Sequence, residues 1–166
     1  VDHVEVDLAR CTIARGYLAM GDAPRALTLA RRAAARSGGV LPELHWTAGL
    51  AAWRAGRIPL AGSHFAALAN AETDRVLPAE RARAAFWAAR AYLVGMQPGL
   101  VSQYLRLAAN GRDFYGLLAR AAHPALKAAG GAIVAVGSMS GSNAHANLGA
   151  HGPSTAAVIM LVQVLA

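Results

Sequence analysis

Through the first 120 residues, apolar positions return every three to four residues, the period of an amphipathic helix. Three stretches share one outline: ARGYLAMGDAPRALTLARRAA, AGLAAWRAGRIPLAGSHFAALA and WAARAYLVGMQPGLVSQYLRLAA. Each begins as an alanine-rich helix with an aromatic residue three or four positions before a glycine. A short turn and a second amphipathic helix follow. The turn glycines Gly21, Gly56 and Gly95 stand 35 and 39 residues apart, a spacing typical of helical-hairpin repeats. Glycine can take the left-handed conformation that ends a helix. Pro24, Pro59 and Pro98 fall near the start of the second helices, where a missing N–H costs little. The pattern predicts helices near 4–20, 24–36, 41–55, 59–70, 77–94, 99–109 and 112–121.

One such hairpin cannot cover its own apolar face, so stacking is expected. Small alanines let paired helices approach, and Tyr17, Trp53 and Tyr92 are expected to fill the gap to the next repeat. The predicted class is mainly α: stacked helical hairpins, a TPR-like α-superhelix, over residues 1–122. Residues 123–166 read differently. Ile133, Val134 and Val136 form a β-branched run behind Gly130-Gly131, a serine-rich loop follows, and Pro153 opens an apolar helix. A C-terminal strand-loop-helix appendage is therefore expected.

Charge marks the same boundary. Fifteen of the sixteen basic residues are arginine, and all fifteen, with all nine acidic residues, precede position 122. The final 44 residues hold one charge, Lys127. A pI near 10.7 suits nucleic acid, an anionic envelope polymer or a membrane surface. The arginines are interleaved with acids on several helices, which favours a solvated face and speaks against nucleic acid. Cys11 stands alone and reads as a small buried apolar residue. Asp2, Glu5 and Asp7 leave no signal peptide at the start of this chain. The run from Ala156 to Ala166 is too short to span a bilayer.

The segment RARAAFWAARAYLVGMQPGLVSQYLRLAANGRDFYGLLARAA resembles the superhelical scaffold of soluble lytic transglycosylases. Phe86-Trp87-Ala88-Ala89-Arg90-Ala91 is similar to that family's YWAARA-type helix. Asp113-Phe114-Tyr115-Gly116-Leu117-Leu118-Ala119 is similar to its TFYGLLA-type helix and is the more specific of the two. The resemblance covers about residues 1–122. It implies a periplasmic scaffold that encloses or positions peptidoglycan glycan, or meets envelope proteins. The family's general acid/base is a glutamate in a following lysozyme-like domain. No glutamate occurs here beyond Glu80, so the scaffold is expected to be non-catalytic and to need no cofactor.

The tail, GGAIVAVGSMSGSNAHANLGAHGPSTAAV, resembles the central part of a short-chain dehydrogenase/reductase, which implies NAD(P) as the alternative cofactor. Ser138 matches that family's substrate-polarising serine. His151 stands where the catalytic tyrosine belongs and Thr155 where the lysine belongs. Threonine cannot supply the lysine's positive charge, and no glycine-rich dinucleotide fingerprint precedes this segment. The chain thus reads as a junction of two partial families, with any hydride chemistry degenerate.

Other residues carry weaker signals. Trp46, Trp53, Trp87 and Tyr115 at helical spacing point to packing between helices more than to sugar-stacking platforms. Arg81, Arg83 and Arg90 are candidates to meet the carboxylates of peptidoglycan stems. His3, His45, His64, His123 and His145 show no metal-ligand spacing.

Overall fold

The computed structural model describes residues 2–128, and among them every regular element is helical. The helices are α1 (His3–Ala19), α2 (Ala23–Ser37), α3 (Leu44–Arg54), α4 (Ile58–Ala69), α5 (Pro78–Val94), α6 (Pro98–Ala109) and α7 (Phe114–Ala128). The chain divides into two compact units, Val1–Ala119 and Arg120–Ala166; the contacts described below belong to the first. The expected strand and the helix after Pro153 lie outside the described residues. Helix α7 runs past its expected end at 121, since ARAAHPALKAA contains no glycine to stop it.

Several helix starts are built from local acceptors. Asp2 accepts from Val4 N at 3.0 Å, and Asp22 from Arg25 N at 3.1 Å. Asp113 Oδ1 accepts from Tyr115 N at 2.8 Å and Gly116 N at 3.2 Å, which opens α7. Each bond satisfies a donor that the first turn leaves free. At α5 the acceptor lies inside the helix: Glu80 Oε2 reaches back to Leu77 N at 3.2 Å.

The three hairpin turns share one bonding pattern. Asp22, Arg57 and Gln97 donate to the carbonyls of Tyr17, Ala52 and Tyr92, five residues back. Gly21, Gly56 and Met96 donate three residues back, to Leu18, Trp53 and Leu93. This is the Schellman arrangement, with the left-handed residue just past the helix end. Gly21 has φ 81° and Gly56 φ 70°. In the third turn that position belongs to Met96, φ 57°, and not to Gly95, φ −78°. The bonding register also places Ala52, not Trp53, level with Tyr17 and Tyr92.

Consecutive helices from α1 to α6 pack on one another, and α1 also meets α3. Most buried apolar side chains at these contacts are alanines, among them Ala14, Ala30, Ala48, Ala61 and Ala88. Short side chains let helix surfaces close without voids. Where a ring must fit, glycine gives way to it: a Cβ on Gly49 would stand 2.5 Å from the Phe65 ring. Gly116 lies flush against the Gly111 backbone, so the Phe-Tyr-Gly element needs its glycine for close approach.

The odd-numbered helices keep a fixed offset. Cys11 meets Thr47, and Arg54 Nη1 donates to Leu18 O at 2.8 Å, both 36 residues apart on α1 and α3. The Arg83 guanidinium lies over Trp46 and that of Arg90 over Trp53, both 37 apart on α3 and α5. In each pair of helices the two contacts sit seven residues, or two turns, apart. α1, α3 and α5 therefore run in the same direction, side by side.

Candidate functional site

The largest grouping of rings joins α3, α4 and α5. Trp87 packs edge-on to Trp53 at 5.6 Å and to Trp46 at 6.1 Å, and meets Phe65 at 5.7 Å between ring centroids. Trp46 also meets Phe65 at 5.4 Å. Arg83 covers the Trp46 face at 4.0 Å, while Arg90 sits 4.8 Å from both Trp53 and Trp87. The rings and guanidiniums alternate, as cation–π attraction favours. The three tryptophans and both arginines are half-buried, and Phe65 is buried. Burial pushes the Arg90 guanidinium down from its ordinary value. The Nε atoms of Arg83 and Arg90 are buried without a hydrogen-bond partner among the described residues, so the ring faces are their main company. The rings are spent on one another and on arginine, as the packing reading expects.

Beside this cluster lies a pocket of ≈ 250 Å³ between α5 and the start of α7. Glu80, Arg83, Asp113, Phe114 and Tyr115 line it. Two carboxylates in one pocket suggest an acid/base pair. Both are already engaged in capping, Glu80 at Leu77 N and Asp113 at Tyr115 N and Gly116 N. Phe114 is exposed, and Tyr115 packs against Phe86 at 5.6 Å. What the pocket offers is one cation, the exposed Phe114 ring, edge-on to Tyr115 at 5.3 Å, and acceptors turned toward the backbone. Comparison with protein-family models, curated proteins and solved structures finds no match to this chain.

Two histidines that sequence reading treated as unrelated come together. His45 on α3 and His64 on α4 face each other with their Nδ1 atoms 2.9 Å apart. Such a contact needs one ring to donate its Nδ1 proton and the other to accept. Burial, then the nearby charges of His45 and Arg31, push His64 down to about 4. Burial also lowers His45. His64 Nε2 is buried without a partner among the described residues. No group of three or more potential metal ligands occurs among the described residues.

Other polar candidates are structural. Arg81 donates to Ala69 O at 2.9 Å and so caps the end of α4. Asp7, fully buried, accepts from Arg36 at 2.8 and 3.0 Å, Arg10 at 2.8 Å and Ser37 at 2.5 Å, which ties α1 to α2. Cys11 is buried, and burial pushes its thiol up. No helix among the described residues is long and apolar enough to cross a membrane. Ser138, His151 and Thr155 lie outside the described residues.

Sequence reading singled out Trp46, Trp53, Trp87, Arg83 and Arg90, and the structure joins them. It missed the pairing of His45 with His64 and the role of Asp7. A partial signal for the first lies in the hairpin itself: antiparallel α3 and α4 bring residues within about one turn of equal distance from Gly56 near one another. His45 and His64 lie 11 and 8 residues from it.

Proposed function

We propose that this chain is a non-catalytic helical-repeat scaffold, a TPR-like α-superhelix of the kind that soluble lytic transglycosylases carry. Its role is to position a peptidoglycan glycan strand or an envelope protein partner in the periplasm. The observation that carries the reading is the constant 36–37-residue offset between α1, α3 and α5. A repeated hairpin with a constant offset builds an extended binding face, the means by which solenoid scaffolds act. The Trp–Arg cluster rigidifies that face, and the pocket at Arg83 and Phe114 opens beside it. Glu80 and Asp113, the carboxylates nearest to it, cap helices. Binding is therefore the activity assigned to the helices.

Retention on purified peptidoglycan tests the proposal. The chain should sediment with it in excess of a control protein of similar pI. Retention no greater than the control's would reject the glycan assignment.

A further inference from the structure

On the even-numbered helices, α2 and α4 border a groove of ≈ 760 Å³. Three arginines line it: Arg31 and Arg32 from α2, and Arg57 from the start of α4. All three are exposed, and none of their guanidiniums makes a hydrogen bond or ion pair with a described residue. No acidic residue lines the groove. Most other arginines of this unit have work to do: Arg10 and Arg36 hold Asp7, Arg54 and Arg81 cap helices, Arg83 and Arg90 cover rings.

The backbone adds to the same charge. Helix α4 begins without a side-chain cap and without an acid in its first turn. Its free N–H end contributes further positive potential. Three cations and a helix N-terminus around one groove repel each other and attract an anion.

Shape selects among anions. Leu27, Arg31 and Ala35 are spaced four apart along α2, so the groove follows that helix for two turns, about 12 Å. That length suits about four residues of an extended peptide. Leu27 and Leu60 supply apolar lining between the arginines. No aromatic residue lines it, so a nucleic acid base has no ring to stack on. Guanidinium forks match carboxylates in geometry as well as charge. We propose that this groove binds an acidic peptide segment of a partner protein. Its carboxylates meet Arg31, Arg32 and Arg57, and an apolar side chain rests on Leu27 and Leu60. The proposal rests on the scaffold reading and names a partner chemistry for it, on a surface separate from the Trp–Arg cluster.

Fluorescence anisotropy with a labelled peptide of alternating glutamate and leucine tests this on the full chain. The peptide should bind, and the same peptide with glutamine for glutamate should bind at least about tenfold more weakly. Arg31→Glu/Arg57→Glu should weaken binding at least about tenfold, whereas Arg106→Glu/Arg112→Glu, an equal change of net charge, should stay within about threefold. The charge-reversed variant should in turn prefer a lysine–leucine peptide, which shows that the altered groove is still folded. Equal weakening by both double variants overturns the proposal, because attraction would then be diffuse. So does binding of a DNA duplex that depends on Arg31 and Arg57 while the peptide fails to bind. Peptidoglycan retention of the Arg31→Glu/Arg57→Glu variant separates the two readings. Unchanged retention with lost peptide binding supports the groove, while absent retention in a wild type that still binds peptide removes only the glycan assignment.

Discussion

Met96 holds in the α5–α6 turn the left-handed position that Gly21 holds in the α1–α2 turn, with φ 57° against 81°. A side chain in that conformation costs about 1 kcal/mol or more relative to glycine. The Met96 side chain is 86% exposed, so it returns little in packing. Met96→Gly should therefore raise stability by about 1 kcal/mol, read as a higher urea midpoint with an unchanged slope. Gly56→Ala should lower it by a similar amount. A lower midpoint for Met96→Gly would show that the three turns are not equivalent.

Asp7 gives the helices an acid-sensitive tie. Its bonds to Arg36 first, then to Ser37 and Arg10, hold its carboxyl well below the usual carboxylate range despite burial. A depressed carboxylate contributes stability above its unfolded value, 3.8, and loses it as pH falls below that. Asp7→Asn should cost about 3 kcal/mol at neutral pH, because Arg36 and Arg10 lose their shared partner. It should also flatten the loss of stability below about pH 4. Urea titrations at pH 7 and pH 3 measure both; parallel curves for wild type and variant would contradict the assignment.

The histidine pair acts in a separate, milder range. His64 falls from 6.5 unfolded to about 4 folded, so protonation favours the unfolded chain. Stability is complete above about pH 6.5 and is lost as pH falls from there toward 4. At pH 5 the loss from His64 amounts to about 2 kcal/mol. His64→Gln should remove most of the difference between pH 7.5 and pH 5. If the variant loses as much stability on acidification as the wild type, another group carries the effect.

Much of this architecture was legible because helix signals are local. Periodicity, the turn glycines and the prolines near helix starts located six helices to within three residues at either end. The third turn was misread by one residue because Gly95 supplied a glycine where the backbone uses Met96. Asp7 with Arg36 and His45 with His64 lie 29 and 19 residues apart. Distance from a turn narrows such pairs, but the pairing depends on which helix faces meet, which composition and spacing do not encode. The tryptophans were recognisable as packing, but Arg83 and Arg90 read as a solvated face or as partners of stem carboxylates, and their place over the rings follows from the parallel run of α3 and α5. The groove at Arg31, Arg32 and Arg57 could not be separated from a solvated face, since only the fold shows which arginines lack partners.

The alternating cluster should behave as a coupled unit. A double-mutant cycle on Arg90→Met and Trp53→Leu should show a coupling of about 1 kcal/mol, near the middle of the range for cation–π pairs. Trp87→Leu should cost about 3 kcal/mol, since one ring meets Trp46, Trp53 and Phe65. Additive single changes at Arg90 and Trp53 would mean that the guanidinium is merely near the ring.

We propose that the helices bind peptidoglycan without cutting it. Sedimentation of the full chain with purified sacculi, followed by chromatography of the supernatant for anhydromuropeptides, addresses both halves at once. Retention should exceed that of a basic control protein of matched pI, with no anhydromuropeptide released. Retention equal to the control's, or release of anhydro ends, would contradict it.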